Sequence, residues 1–162
     1  MQGYWRNDSA TADSITTTSD GLHFFKTGDV GYQDKNHNFY ITDRVKELIK
    51  YKGFQVAPAE LEGKLMDHPL VNDVAVIGVY DEENHTEVPR AYVVHKDGSG
   101  KGGAEDGESI VKWTAEKVAN HKRLRGGVRF IDEVPKSASG KILRRVLKDR
   151  AKEEDKKVKA KL

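Results

Sequence analysis

The sequence predicts a small α+β fold, on two observations. From residue 46 onward, strand-like and helix-like segments alternate irregularly, which is typical of a sheet with helices packed against it. Before that point, residues 4–45 hold only short strand-like segments broken by turns, with few apolar residues for a core of their own. No internal repeat is visible. We therefore expect a β-rich segment first and an α+β domain after it.

Three short strands are expected in the first segment. A turn around Gly28 separates the first two, and the polar turn 34–37 separates the last two, because glycine and Asp or Asn residues favour chain reversal. The strands are expected at 22–26, 30–33 and 38–42.

A hairpin and a helix are expected next. Residues 47–51 and 54–56 are strand-like and flank the Lys52-Gly53 step, which suits the tight turn of a β-hairpin. Residues 58–67 are expected to form a helix, because a proline occupies the favoured first position, two leucines lie one turn apart and a second proline follows.

A three-stranded sheet is expected to form the core of the domain. The apolar run 73–80 predicts a buried strand, and 91–95 predicts a partner for it. Residues 128–134 predict the last strand, and a terminal helix is expected from Ile142 onward.

The segment 96–109 is rich in glycine and allows two interpretations. A phosphate-binding loop is one, but the glycines have no fixed spacing and the acidic residues among them would repel phosphate. A flexible surface loop is the interpretation that composition favours. The helix expected to follow at 108–121 carries Val111, Ala115 and Val118 on one face.

Composition argues against several classes of site. The chain has no cysteine, which excludes disulfides, thiolate catalysis and thiolate metal sites and is compatible with a reducing compartment. Its six histidines lack the paired spacing of a zinc site, so no metal site is expected. The apolar run 74–80 is too short to cross a bilayer, so no membrane span is expected.

Charge is distributed unevenly along a chain whose net charge is +2. Residues 141–161 contain ten Lys or Arg against four Asp or Glu. Nucleic-acid binding would explain such a tail, but it has no interleaved aromatic residues, so a solvated helical face is favoured and no nucleic-acid partner is expected.

Lys141 is the first candidate for function. It follows the flexible Ser139-Gly140 step and precedes the basic helix, a placement that suits a lysine which must reach a phosphate. It does not belong to a Walker P-loop, because Pro135 stands where the first glycine should be and Ile142 where a hydroxyl residue should follow the lysine.

Three clusters along the chain carry a family resemblance. They are Phe25-Lys26-Thr27-Gly28-Asp29, the block from Thr42 to Glu62, and Pro135-Lys136-Ser137-Ala138-Ser139-Gly140-Lys141. In order and spacing they closely resemble the C-terminal motifs of AMP-forming acyl-CoA synthetases. The middle block most resembles 4-coumarate–CoA ligases and their beetle-luciferase relatives, and the resemblance extends from Gly3 to about Leu147.

The resemblance implies an activity and a division of the chain. Members of the family join a carboxylic acid to ATP, release pyrophosphate and hold an acyl adenylate, from which the thiol of CoA then displaces AMP. Residues 46–150 would be the small C-terminal lid domain. Residues 1–45 would be the incomplete edge of the large AMP-binding domain, and 151–162 a charged tail.

The resemblance also implies roles for single residues. Asp29 would accept hydrogen bonds from the ribose hydroxyls, and Arg44 would support the ribose and phosphate. Lys141 would bridge the acid and the α-phosphate, and Lys46 would be the hinge about which the small domain rotates. Mg²⁺ is expected with ATP, although no residue here is identified as its ligand.

A second group of roles concerns the adenylate and thiol side of the site. Lys50 and Gln55 are implied to be catalytic there, and Lys52 and Gly53 to bind CoA, since glycine allows close approach of the pantetheine arm. Each candidate also has an ordinary alternative: Asp29 as a turn residue, the cations as solvated charges, Gln55 as a surface amide.

Two departures from the family pattern stand out. Thr86 replaces a glycine in what is expected to be a loop at 86–89, which should alter a turn near the thiol site. His121 replaces an aromatic residue that is common at its position.

The family's phosphate loop, adenine-binding motif and acid pocket have no counterpart in these 162 residues. The chain is therefore expected to be the end of a longer synthetase, inactive without the N-terminal domain. The alternative is a non-catalytic module that binds a nucleotide, CoA or a protein partner.

The last three residues, Ala160-Lys161-Leu162, resemble the Ser-Lys-Leu peroxisomal signal. We expect import into peroxisomes by the receptor that reads this signal, and a cytoplasmic location otherwise.

Overall fold

A computed structural model describes residues 2–98 and 101–159. The backbone divides into two compact units, with the boundary between Lys46 and Glu47. We refer to the parts before and after this boundary as unit 1 and unit 2. The tripeptide Ala160-Lys161-Leu162, predicted to be a peroxisomal signal, lies outside the described residues.

Unit 1 contains one short helix and two small antiparallel sheets. The first sheet pairs β1 with β2, and the second pairs β3 with β4. In chain order the elements are α1 (Asp8–Ser14), β1 (Ile15–Thr17), β2 (His23–Phe25), β3 (Asp29–Gln33) and β4 (Phe39–Arg44). The three predicted strands are present, whereas α1 and β1 were not predicted. Helix α1 has no apolar periodicity to reveal it and starts at a cap, where the Asn7 side chain accepts the Ala10 N–H.

Unit 1 has almost no interior. Among the described residues 2–46, only Asp43 is buried, and no apolar side chain is. Large apolar side chains of both sheets are instead exposed, among them Phe24, Phe39 and Ile41. The shortage of core residues that the sequence indicated is therefore found in the structure.

Unit 2 is built on a hairpin and a three-stranded sheet, which confirms the predicted α+β class. The hairpin pairs β5 (Ile49–Tyr51) with β6 (Phe54–Val56). In the sheet, β7 (Val71–Asp81) runs antiparallel to the central strand β8 (Thr86–His95), and β9 (Val128–Phe130) runs parallel to β8. Strand β9 is shorter than the predicted 128–134.

Four helical segments complete unit 2. They are α2 (Pro58–Leu65), α3 (Ala104–Lys117), a 3₁₀ turn (Asn120–Lys122) and α4 (Arg144–Lys159). None of the helices in the described part of the chain has the length and apolar character that crossing a membrane requires.

Both faces of the sheet are covered. Val74 and Val76 of β7 belong to a cluster with leucines of α2 and Ile110 of α3. The alternate residues Ala75 and Ile77 belong to a second cluster, which contains Leu147 and Ala151 of α4. Burial on both faces explains why β7 is a continuous apolar run in the sequence.

Helix α3 differs from its prediction in two ways. It begins at Ala104, inside the segment predicted to be a loop, because the Asp106 carboxylate accepts the Gly103 N–H at 2.9 Å and caps the first turn. Val111 and Val118 of the predicted face are partly buried and pack against the core, but the fully buried residues of the helix are Ile110 and Thr114. Thr114 tolerates burial because its hydroxyl donates to the Ile110 carbonyl at 2.7 Å.

Candidate functional site

Lys141 lies at the end of a closed loop that leads into α4. The Ser137 N–H donates to the Lys141 carbonyl at 2.8 Å, and the Lys141 N–H donates to Ser137 Oγ at 3.2 Å. Gly140 has a φ of +78°, which a glycine adopts without steric cost. The Lys141 side chain is exposed. The loop backbone is therefore tied, and the freedom inferred from the Ser-Gly step belongs to the side chain.

The two ends of this loop are held by backbone contacts and an ion pair. Lys136 and Ile142 form an isolated antiparallel bridge, and the Leu143 N–H donates to the Pro135 carbonyl at 2.8 Å. Lys136 Nζ also contacts Asp73 Oδ2 at 2.5 Å, at the start of β7. Lys136, like Lys141, is a lysine of the motif, but its amine has a structural partner.

The predicted thiol-side residues lie together on the β5–β6 hairpin. Lys50 and Gln55 are directly paired across it, and both are exposed. Lys52 and Gly53 form the turn with φ values of +44° and +85°, and positive values at both positions are typical of a type I′ hairpin turn. A Cβ on Gly53 would meet no atom within 4 Å, so the position needs glycine for its backbone angle and not for space.

Thr86 fixes this hairpin to the sheet. Its Oγ1 accepts the Lys52 N–H at 2.8 Å and donates to the Lys50 carbonyl at 2.9 Å. Glu87 adds a further contact, because its carboxylate accepts the Lys50 N–H at 2.8 Å. The loop predicted at 86–89 was wrong, since these residues begin strand β8. The threonine therefore braces the hairpin from a strand instead of altering a turn.

The turn beside the hairpin is also ordered. Lys52 Nζ donates to Asn84 Oδ1 at 3.0 Å, and Asn84 in turn donates to the Asp81 carboxylate. The hydrogen bonds from Asn84 hold the pKa of Asp81 below its usual range, with the charge of Lys52 as a smaller cause.

Asp29 and Arg44 face each other across β3 and β4 in unit 1. They are register partners, and Arg44 Nε lies 3.2 Å from Asp29 Oδ1. The Arg44 side chain is 60% exposed, and the Asp29 N–H donates to Thr27 Oγ1 at 3.1 Å. The structure thus brings together the two residues predicted to bind ATP and AMP.

Lys46 is exposed and is the last residue of unit 1. Within the structure, the candidates therefore fall into three groups: the pair in unit 1, the hairpin in unit 2, and the Lys141 loop in unit 2. The predicted hinge residue lies at the boundary of the two units.

His121 stacks on the hairpin. Its ring lies 4.5 Å from that of Phe54, with the two planes only 13° apart. At the position where the resemblance leads us to expect an aromatic residue, the histidine ring stacks on an aromatic side chain.

Two residues near the candidates were missed by the sequence reasoning. Thr86 was noted only as a departure, and Arg144 was given no role although it follows Lys141 by three positions. Arg144 pairs with carboxylates of residues 47 and 62, and no local pattern in the sequence could reveal contacts over that separation.

No group of three histidine, aspartate or glutamate side chains that could hold a metal occurs in residues 2–98 and 101–159. We therefore assign no protein ligands for Mg²⁺ among the described residues.

Comparison with known proteins gives a consistent result. The family model described as the AMP-binding enzyme C-terminal domain matches residues 60–141. The chain is 49% identical over 154 residues to phenylacetyl-CoA ligase epaB of Aspergillus niger, covering 94% of this chain and 27% of that protein. It is 53% identical over 150 residues to 4-coumarate–CoA ligase-like 9 of Oryza sativa subsp. japonica, and the match covers 92% of this chain and 25% of that protein.

Solved structures of similar fold include two ligand complexes. ATP-bound MatB from Rhodopseudomonas palustris matches with a TM-score of 0.76 and 30% identity, covering 92% of this chain and 28% of that chain. The anthranilate CoA ligase AuaEII in complex with anthranoyl-AMP matches with a TM-score of 0.75 and 31% identity, covering 92% of this chain and 27% of that chain. The chain spans about a quarter of the length of the curated relatives it matches.

Proposed function

Because this chain belongs to the family of AMP-binding enzyme C-terminal domains, we propose that it is the C-terminal part of an acid–CoA ligase. Unit 2 is the mobile lid, and unit 1 is the edge of the large AMP-binding domain. The observation that carries the proposal is Lys141, an exposed amine on a loop whose backbone is tied at both ends. The substrates are a carboxylic acid, ATP and CoA.

In the first half-reaction, a carboxylate oxygen attacks the α-phosphorus of ATP and pyrophosphate leaves. Both reactants are anions, so a cation between them lowers their repulsion and stabilises the charge that develops in the transition state. Lys141 performs this role, because its exposed amine can reach a ligand while its backbone stays fixed.

Asp29 and Arg44 hold the nucleotide in this proposal. The Asp29 carboxylate has two acceptor oxygens, of which Arg44 contacts Oδ1, and a carboxylate suits the two hydroxyls of a ribose. The contact with Arg44 holds the carboxylate in a fixed orientation.

In the second half-reaction, the sulfur of CoA attacks the acyl carbon and AMP leaves. The hairpin serves this step: Lys50 and Gln55 act on the adenylate, and the Lys52-Gly53 turn lies beside the pantetheine arm. Support comes from the hairpin's rigid turn and its attachment to β8 through Thr86. Lys46 is the hinge that exchanges the Lys141 loop for the hairpin between the two steps.

The proposal is tested in a joined enzyme, in which this chain follows the preceding part of 4-coumarate–CoA ligase-like 9. Lys141→Ala should slow acid-dependent ATP–pyrophosphate exchange by about 100-fold to 1000-fold, because a preorganised charge is lost from the transition state. Thioester formation from supplied acyl adenylate should stay near the unmodified rate. Lys112→Ala is the control, since that lysine is 79% exposed on α3. Equal loss of both half-reactions in Lys141→Ala would refute the division of labour.

The chain alone is proposed to be inactive, because the relatives extend over about four times its length. An ATP–pyrophosphate exchange assay on the 162-residue chain should show no acid-dependent signal. Clear exchange above the level without acid would contradict this.

We also propose that the enzyme is imported into peroxisomes, because the import receptor recognises Ala160-Lys161-Leu162. A fluorescent protein fused ahead of the chain should be found in peroxisomes, and deletion of Leu162 should leave it in the cytoplasm. An identical distribution of both fusions would exclude the signal.

A further inference from the structure

Arg144 is the first residue of α4, and its side chain contacts α2, β7 and the segment before β5. Nη1 donates to Glu47 Oε2 at 2.6 Å, ahead of β5. Nη2 lies 2.8 Å from each carboxylate oxygen of Glu62 in α2. Nε is 3.4 Å from the carbonyl of Val76 in β7. All three guanidinium nitrogens therefore have acceptors.

This cluster is shielded from solvent. The side chains of Arg144 and Glu62 are only 15% and 13% exposed. A Glu62 oxygen also accepts the Val76 N–H at 2.8 Å, so the same carboxylate ties α2 to the sheet. Loss of the arginine would remove the cation that Glu47 and Glu62 both contact, which is costly where the Glu62 carboxylate is shielded.

The cation is also placed against the local field. The N-terminal end of a helix carries partial positive charge, so an arginine at the first position of α4 is unfavourable unless carboxylates compensate it. Glu47 and Glu62 provide that compensation. A residue held at a cost to its helix points to a requirement outside the helix.

Arg144, which holds this cluster together, lies three residues after Lys141 in the sequence. Between them, the Leu143 N–H bonds to the Pro135 carbonyl, and Ile142 forms a bridge with Lys136. The loop is therefore attached to unit 2 at one end by the Lys136–Asp73 ion pair and at the other by Arg144. These contacts fix the backbone from which the exposed Lys141 side chain extends.

We propose that Arg144 is a positioning residue for Lys141. It connects the loop to α2 and to Glu47, the first residue of unit 2, so the amine moves with unit 2 as one body. The inference rests on the function proposed above for Lys141. It assigns to Arg144 no contact with substrate, and it predicts an effect on adenylation alone, because the hairpin is braced separately through Thr86.

The first experiment uses the 162-residue chain and measures amide hydrogen exchange. In Arg144→Gln, the hydrogen-bonded amides of Ser137, Gly140 and Leu143 should exchange about 10-fold or more faster. A tenfold increase corresponds to a decrease of about 1.4 kcal/mol in the free energy of local opening. The amides of the β7–β8 ladder should keep their protection. Arg145→Gln is the matched control, because Arg145 is the adjacent arginine and is exposed. Faster exchange in both variants, or in neither, would refute the inference.

The second experiment uses the joined enzyme and compares the half-reactions. Arg144→Gln should slow adenylation by up to about 100-fold, the effect of misplacing a group by about 1 Å, and leave thioester formation from supplied adenylate within about twofold. Arg144→Lys should recover part of the adenylation rate, since it restores the charge without the fork of donors. A purely stabilising role predicts that both half-reactions fall together, and this result would overturn the inference.

The Lys141→Ala variant distinguishes failure of the proposed function from failure of the role proposed for Arg144. If it fails to affect adenylation selectively, the proposed function fails. If it does so while Arg144→Gln does not, only the role of Arg144 fails.

Discussion

At the scale of single residues, Tyr92 shows how burial and a carboxylate act on one proton. The side chain is fully buried in the central strand β8, and its hydroxyl donates to Glu154 Oε2 at 3.0 Å. Burial raises the pKa of Tyr92 to about 12, and the hydrogen bond and charge of Glu154 act in the same direction. Arg90, in the same strand, acts in the opposite direction through its hydrogen bond and charge, and Arg150 of α4 pairs with Glu154 at 2.8 Å.

This pKa predicts a loss of stability in alkali. Between pH 10 and about 12 the folded protein keeps a proton that the unfolded chain has lost, so the free energy of unfolding falls as the pH rises. The Tyr92 contribution to the free energy of unfolding is about 3 kcal/mol, fully present below pH 10. Urea unfolding at pH 8, 10 and 11.5 should show that Tyr92→Phe is less sensitive to this pH increase than the unmodified chain. Tyr80→Phe, at an exposed tyrosine, should follow the unmodified chain; parallel curves for all three proteins would contradict the assignment.

Sequence reasoning reached some site residues and missed others for a physical reason. Asp29, Lys141 and the hairpin residues lie in the short motifs that carry the family resemblance, which implied their roles. Arg144 contacts carboxylates that lie 82 and 97 positions before it in the sequence. Thr86 contacts backbone groups that lie 34 and 36 positions before it. Such contacts are set by packing of the whole unit, and no short pattern records them.

At the scale of elements, the contact between α3 and β9 depends on Gly102. A Cβ at this position would lie 2.6 Å from the Phe130 ring, and the residue has a φ of +96°. Gly103, next to it, has no atom within 4 Å of a Cβ and an ordinary φ of −105°.

These two glycines form a matched pair for substitution. Gly102→Ala should lower the free energy of unfolding by about 1–3 kcal/mol through overpacking, with further strain from the backbone angle. Gly103→Ala should change it by less than about 0.5 kcal/mol. Chemical denaturation of both variants checks this, and equal losses would show that the contact with Phe130 does not decide the effect.

The elements that were predicted well are those with a strong local signal. The hairpin was found because Lys52-Gly53 fits a tight turn, and β7 because burial on both faces makes it uniformly apolar. The beginning of α3 was missed because glycines at 102, 103 and 107 indicate a loop by composition, while the cap from Asp106 is a single contact. The first five residues of β8 were missed because Pro89 and Arg90 interrupt the apolar pattern.

At the scale of the whole molecule, the two units differ in what holds them together. Unit 2 has two buried apolar clusters, whereas the described residues of unit 1 bury no apolar side chain. Since apolar burial is the main favourable contribution to folding, unit 2 should fold without unit 1 and the reverse should not hold.

Two excised chains test this difference. Residues 47–162 should unfold in one cooperative thermal transition followed by near-ultraviolet circular dichroism. Residues 1–46 should show no cooperative transition. A sharp transition in the short chain, or its loss in the long one, would contradict the conclusion.

The contact between Arg144 and Glu47 also constrains when the protein can mature. It joins residues 97 positions apart, so a nascent chain still attached to the ribosome cannot form it until the last helix has emerged. Closing so long a loop is slow compared with forming the β5–β6 hairpin, which pairs neighbours. The β5–β6 hairpin is thus available early in synthesis, and the loop that carries Lys141 acquires its connection to Glu47 only after α4 has begun to emerge.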